Sequence, residues 1–330
     1  MSRRPRGGMR VWRLAAACAL CVAVLRPAAA ALPQCAVRAS AAAALARLRE
    51  TMATGRFVAY EPSAMRVVNG AVTAPDAASI DADLAVLRPH FDGLITYGAR
   101  HGAEAIPALA LAHHYRALII GVWDPTDQVE VEAALAAARQ YPRLVVGLSL
   151  GNELLFFRTR SYAEMAGLIR SIRARAPQLA LSTTEPFHMY YEPQAAGLLS
   201  QMDFLLANVH PVYQSWFGTA TAPQAADFVV NVVAELGARY CGPILVKETG
   251  EPTAPAGQGY SSQRQGAYYE ALQRAFPPNG MRAFAYFSAF DAPWRIGDSG
   301  NRESEGYWGL YDDQRRPKPW VTRLPVLPAP

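Results

Sequence analysis

Along the chain, short apolar runs recur between longer stretches patterned as amphipathic helices. The runs are RFVAY (56–60), DGLITYGA (92–99), ALIIGVWD (117–124), LVVGLSLGNE (144–153), ALSTTEP (180–186), DFLLANVHP (203–211), GPILVKETGEP (242–252) and RAFAYFSAFDAPW (282–294). Each is rich in β-branched or aromatic residues. Near-continuous apolarity of this kind marks parallel strands buried on both faces. Between the runs, residues 80–91, 129–141, 161–176, 223–240 and 261–276 carry helical spacing, and several open on Ser, Thr or Asp near the first turn, as helix starts do. An Ala-rich segment, 39–50, predicts one more helix, closing the base.

Eight strands alternating with helices over about 250 residues predict an α/β protein, a (β/α)8 TIM barrel. A doubly wound sheet is the structural alternative. It calls for fewer strands or a phosphate loop, and no G-x-G-x-x-G or Walker loop stands at a strand end. In such barrels the chemistry gathers at the C-terminal ends of the strands. The polar residues at those ends are Tyr60, Glu61, Tyr97, Asp124, Asn152, Glu153, Glu185, Asn208, His210, Glu248, Asp291 and Trp294.

Charge changes the picture only once the N-terminus is set aside. Residues 1–31 join a basic stretch, the short apolar run LAAACALCVAVL and the small residues RPAAAA, as a secretory signal peptide does. The apolar run is short for a transmembrane helix, although an uncleaved anchor and a twin-arginine signal at Arg3-Arg4 are alternatives, as is a lipobox at Leu32-Pro33-Gln34-Cys35. The expected mature chain, 32–330, is a single domain. Taking the six arginines of the signal from 32 basic residues leaves 26 against 27 acidic ones, a net charge of −1. The basicity therefore belongs to the export signal, and nothing remains to favour nucleic acid or an anionic membrane as partner. The expected location is secreted or periplasmic, and the expected state a monomer. Cys35 and Cys241 remain in the exported chain, an even pair compatible with a disulfide that spacing alone does not assign.

The run 144–153 offers two chemistries. Gly147-Leu148-Ser149-Leu150-Gly151 fits the nucleophile elbow of serine esterases, and Glu153 follows at its end. Strand alternation puts Gly147, Ser149, Gly151 and Glu153 on the barrel face, with Val146, Leu148 and Leu150 toward the helices. Ser149 then lies buried below the rim and Glu153 stands on it. An esterase also needs a histidine late in the chain, and none follows His210. Glu153 has a partner instead: Glu248 ends strand seven, across the barrel mouth from strand four. Two carboxylates there suit glycosidic bond cleavage, one protonated as general acid and one ionised. The same strand parity points Lys247 toward the helices. The six histidines form no metal-binding pattern, and neither metal nor cofactor is expected.

Gly151-Asn152-Glu153 and Glu248-Thr249-Gly250-x-Pro252 resemble the family 17 glycoside hydrolases, the β-1,3-glucanase group. So do Tyr97-Gly98, Glu185-Pro186, Asn208-Val209-His210-Pro211, Phe290-Asp291-x-Pro293-Trp294 and Trp308-Gly309-Leu310. The resemblance implies a retaining enzyme acting on β-glucan, most simply β-1,3-linked. It makes Glu153 the acid/base, Glu248 the nucleophile, Asn152 the hydrogen-bond partner of the sugar 2-hydroxyl and Trp294 the floor of the sugar site. Tyr60, Tyr97, Glu185, Asn208, His210, Tyr213 and Trp308 are the further substrate-binding candidates, and Trp123 and Trp216 are aromatics suited to stacking on sugar rings. Transglycosylation uses the same carboxylates and stays open beside hydrolysis, as does a non-catalytic glycan-binding barrel. The chain departs from the family at Glu251, where Trp is common, and at Ala292-Pro293-Trp294-Arg295, where the family reads Glu-x-Trp-Lys.

Overall fold

The computed structural model describes residues 38–68, 71–277 and 279–327. Eight parallel strands close into a barrel: β1 (Phe57–Ala59), β2 (Gly93–Ile95), β3 (Ala117–Val122), β4 (Val145–Asn152), β5 (Leu181–Pro186), β6 (Leu205–Asn208), β7 (Ile244–Thr249) and β8 (Arg282–Tyr286). Each pairs with its neighbours in sequence, and β8 returns to β1 through Phe57↔Ala285 and Val58↔Tyr286. All eight runs named above contain one of these strands. The second and eighth end early, so Tyr97, Asp291 and Trp294 stand on loops beyond the sheet.

The helices begin where polar caps dictate. Helix α1 (Ala42–Thr54) is the expected base helix. Helices α2 (Ala77–Leu87), α3 (Ile106–Ala112), α4 (Gln128–Gln140), α5 (Tyr162–Arg175), α6 (Ala195–Leu199), α7 (Ala222–Gly237) and α8 (Ser262–Ala275) lie outside the barrel in sequence order. Ser161 with Glu164 and Thr221 with Gln224 form reciprocal capping boxes on α5 and α7. Such caps contribute about 1 kcal/mol each by satisfying first-turn amides. The short helices α3 and α6, and a hairpin of Arg66–Val68 with Ala71–Thr73, have too few turns or residues to show a period in the sequence.

Burial divides into two main layers and a small third one. The outer layer packs helices on the barrel wall through residues such as Leu84, Leu118, Leu148, Ile169, Val229 and Leu272. The inner layer fills the lower barrel with Phe57, Ile95, Ile119, Val146, Phe204, Leu206 and Leu245, plugged from below by Ala41, Ala44, Leu45, Leu48 and Met52. Val146 thus faces inward, because the β3–β4 register shifts between Leu118 and Ile119. Gly147 must be small there: a Cβ would sit 2.7 Å from the Phe204 ring. At the mouth, Ala59, Tyr97, Phe287 and Trp308 form the third cluster. Ala59 occupies the inward position of β1, and Tyr60, one residue on, faces the helices. Its hydroxyl donates to Asp83 Oδ2 at 3.0 Å and the residue is fully buried. Tyr60 is therefore a wall residue and not a substrate contact.

Candidate active site

The end of β4 leaves strand geometry abruptly. Gly151 has φ +79° and Glu153 φ +60°, both in the left-handed region, which a residue with a Cβ adopts only at a cost. The turn is held by Glu153 N donating to Thr184 O at 2.8 Å. It is held again from beneath by Glu185, whose carboxylate accepts from Leu155 N at 3.0 Å and Phe156 N at 3.2 Å. Thr184 faces the barrel interior, so the next residue, Glu185, points outward under this loop and is fully buried. Glu185 is not a substrate contact as expected; it anchors the loop that carries Glu153. Burial pushes its carboxyl up to about 8 against the amides that lower it.

Glu153 itself is part-buried at the mouth, and Asn208 Nδ2 donates to its Oε1 at 2.8 Å. Burial raises its pKa, and the negative charge of Glu248 raises it further, against Asn208, His210 and Lys247. A carboxyl in this setting keeps its proton as pH rises through the ordinary carboxylate range, as a general acid must.

Glu248 shows the opposite balance. Burial alone would raise it, but the ring of His210, 3.4 Å from Oε2, and the ammonium of Lys247, 3.6 Å from Oε1, outweigh burial and hold it at about 2. It is 6% exposed and therefore an ionised, largely desolvated carboxylate. Lys247 reaches it because it keeps the inward parity of Leu245, while strict parity fails one residue later, at Glu248. The pairing with β6 shifts between Ala207 and Asn208, and that with β8 between Phe284 and Tyr286, so Lys247 and Glu248 both turn into the mouth. Lys247 does not face the helices: Nζ donates to Asn152 Oδ1 at 2.7 Å and lies 4.0 Å from the centre of the Tyr97 ring.

Around the carboxylates stands an aromatic wall. His210, Phe287 and Trp308 meet edge to face with ring centres 5.2–5.5 Å apart. Tyr213 joins His210 at 5.5 Å, remains 57% exposed, and donates its hydroxyl to Glu305 at 3.1 Å. Trp308 is 3% exposed, a wall more than an open platform. On the far side, Arg295 pairs with Glu61 and lies 5.4 Å from the ring centres of both Phe287 and the part-exposed Trp294. That ion pair was not legible as a pair, since its partners stand 234 residues apart.

Buried polar atoms without a hydrogen-bond partner converge here. Tyr97 Oη, Asn208 Oδ1, His210 Nδ1, Glu248 Oε1 and Trp308 Nε1 are all of this kind. Buried polar groups are otherwise almost always satisfied, so a concentration of unmet donors and acceptors marks a surface shaped for a polar, hydroxyl-bearing ligand.

The other rim residues are structural. Asp124 holds Thr126 of its own turn, and Asp291 accepts from Gly309 N and Lys318 Nζ. Ser149 is 1% exposed and its hydroxyl pairs with Thr184 Oγ1 at 2.8 Å, which leaves the esterase motif without a partner base. Trp123, 53% exposed, sits on a turn whose amides Glu130 accepts; Trp216, 38% exposed, packs on Phe228. Cys241 is disulfide-bonded, while Cys35, named above as its possible partner, lies outside the described residues, as does the whole of the expected signal.

Comparison with known proteins gives one consistent answer. Residues 58–309 match the BtgE/BtgC glycoside hydrolase domain. The chain is 27% identical over 264 residues to a glucan 1,3-beta-glucosidase of Arthroderma benhamiae, covering 74% of this chain and 84% of that protein. To a glucan 1,3-beta-glucosidase of Saccharomyces cerevisiae it is 23% identical over 225 residues, 59% of this chain and 68% of that one. Its fold is similar to that of a glycoside hydrolase family 17 beta-1,3-glucanosyltransferase from Rhizomucor miehei, with TM-score 0.65 and 24% identity over 80% of this chain and 96% of that one.

Proposed function

The chain belongs to the BtgE/BtgC glycoside hydrolase family, and from that premise we propose that it cleaves β-1,3-linked glucan with retention, through Glu153 as acid/base and Glu248 as nucleophile. The observation that carries the assignment of roles is the divergence of the two carboxyls in one mouth, Glu153 held toward its protonated form and Glu248 held ionised at about 2. Pairs of titratable groups pushed apart in this way divide acid and nucleophile between them. In the first step Glu248 bonds to the anomeric carbon as the glycosidic C–O bond breaks, and Glu153 gives its proton to the departing oxygen. In the second, Glu153 takes a proton from water or a sugar hydroxyl, which displaces Glu248 and regenerates both groups.

Transfer to a sugar acceptor is the second reading, and one surface favours it. Phe156 and Phe157 lie three and four residues beyond Glu153, on the loop that follows it. From them a ridge of rings runs through His188, Phe187 and Phe228 to Trp216, neighbouring centres 5.0–5.8 Å apart. Phe156, Phe157 and Trp216 expose 37–39% of their surface, enough for pyranose rings to stack on.

The test is early-time product analysis on laminari-oligosaccharides, mixed-linkage and β-1,6 glucans, with the anomer followed by proton NMR. The expected result is β-anomer first, from β-1,3 substrates, with longer oligosaccharides appearing as acceptor concentration rises. An α-anomer appearing first, or no cleavage of any β-glucan, sinks the proposal. The expected site of action is outside the cytoplasm, as a monomer. N-terminal sequencing of the exported protein, expected to start near residue 32, and light scattering check these two points.

A further inference from the structure

Lys247 lies at the centre of the site, and beyond its charge beside Glu248 none of the roles above uses its contact with Asn152. It is 1% exposed. Its Nζ is 2.7 Å from Asn152 Oδ1, 3.6 Å from Glu248 Oε1 and 4.0 Å from the Tyr97 ring centre. Burying a lysine is costly and survives only where partners compensate. Here burial lowers its pKa while Glu248, and then Glu153, raise it.

The contact with Asn152 has a directional consequence. A primary amide offers one acceptor oxygen and two N–H donors, and an ammonium only donates. With Lys247 on one side, the Asn152 oxygen must face it, and the amide nitrogen is left for the cleft. Asn152 can then act toward a sugar hydroxyl only as a donor. Without the ammonium, the amide is free to present either end.

We infer that Lys247 is a positioning residue: it locks the Asn152 amide with its N–H donors toward the substrate 2-hydroxyl, while its ammonium stands 3.6 Å from Glu248 Oε1 as countercharge. The inference rests on the proposed roles of Asn152 and Glu248. Glu248 is faced by Lys247 on its own strand, His210 after β6, Tyr97 after β2, Arg295 after β8 and Glu153 after β4; Arg295 is itself paired with Glu61. Of the cations in this set, Lys247 alone also holds Asn152.

The experiment compares wild type, Lys247→Met, Lys247→Gln and Asn152→Ala on a dinitrophenyl β-laminaribioside and on its counterpart lacking the 2-hydroxyl of the reacting sugar. Wild type is expected to favour the hydroxylated substrate in kcat/KM by about 10-fold or more, the worth of one good hydrogen bond to a preorganised donor. In Lys247→Met that preference falls to the level of Asn152→Ala, and the acidic limb of kcat/KM moves to higher pH. Lys247→Gln carries an acceptor as well as donors and no charge, so it can pair with either end of the Asn152 amide; the preference falls and the limb shifts. A merely structural lysine lowers both substrates equally and leaves the limb in place, and that result overturns the inference. If Lys247→Met does not fold, by circular dichroism and thermal melting, Lys247→Gln decides: a reduced preference with a shifted limb supports the inference, and an unchanged preference or an unmoved limb overturns it. Failure of the wild type to turn over either glycoside instead removes the functional reading on which the inference stands.

Discussion

The ends of β4 and β7 present the same side chain to the same mouth and treat it in opposite ways. Glu153 stands on a left-handed turn, accepts one amide hydrogen bond and feels the charge of its neighbour. Glu248 stands on the strand itself, nearly enclosed, with an imidazole and an ammonium on its two oxygens. Burial pushes both upward, so desolvation does not separate them. What separates them is where the cations lie. The two also depend on each other, because the ionised state of one helps to keep the proton on the other.

That contrast breaks most severely at Glu248. Glu248→Ala should abolish turnover of glucan and of dinitrophenyl glycosides alike, since no glycosyl-enzyme forms whatever the leaving group; comparable activity on either substrate refutes the nucleophile. Glu153→Ala should lose about 10²–10⁴-fold on glucan, the usual contribution of general acid catalysis, yet still form glycosyl-enzyme from the dinitrophenyl glycoside, whose leaving group needs no proton. Azide should accelerate that variant and yield a β-glycosyl azide; equal loss on both substrates with no azide effect removes Glu153 from its role.

The comparison is sharpened by pH. Because the charge on Glu248 raises the pKa of Glu153, Glu248→Gln should lower it, so that the Glu153 carboxyl gives up its proton at lower pH. Carbon-13 NMR or infrared titration of the carboxyl reads this directly, and an unchanged or raised value contradicts the coupling. In activity terms, wild type should fail on the acid side only as Glu248 is protonated, far below neutrality, and on the basic side as Glu153 loses its proton.

Smaller effects test the supports. Glu185→Ala removes the carboxyl group that accepts two loop amides. The expected cost is about 1–3 kcal/mol, seen as a lower thermal midpoint with a modest drop in kcat on glucan. Unaltered stability would show that the loop after Glu153 holds its shape without this anchor. Smallest of all, Ser149→Ala loses one internal hydroxyl contact and should keep most of the activity. Loss of turnover in a folded variant, with labelling of the wild type by a serine-directed phosphonate, would instead restore the esterase reading.

Periodicity made the strand order and both glutamates legible, because a parallel barrel puts each apolar run next to the following one and its chemistry at the run's end. The errors lie where the period of two changes meaning. Tyr60 and Glu185 are each one residue past an inward-facing neighbour, Ala59 and Thr184, and alternation carried through the strand end places both outward. Val146 and Lys247 fail for a different reason: a register shift turns Val146 inward, and another turns Glu248 inward, so that counting parity back from Glu248 puts Lys247 on the wrong face; no residue in those segments announces a shift. The Glu61–Arg295 pair was visible only as two rim or near-rim residues, because nothing local links them.

Helix α1 and the inner layer above it seal the barrel from below with Leu45, Leu48, Met52, Phe57 and Phe204. Among the described residues, the two glutamates are therefore closed off from below, and the mouth above them is their doorway. In a double displacement the departing sugar must vacate that doorway before water can enter, and a second sugar can enter instead. Hydrolysis and transfer then become outcomes of traffic at one entrance, decided by which molecule arrives first. The fate of the glycosyl-enzyme is in that sense a property of how crowded with glucan the surroundings are, set outside the protein as much as within it.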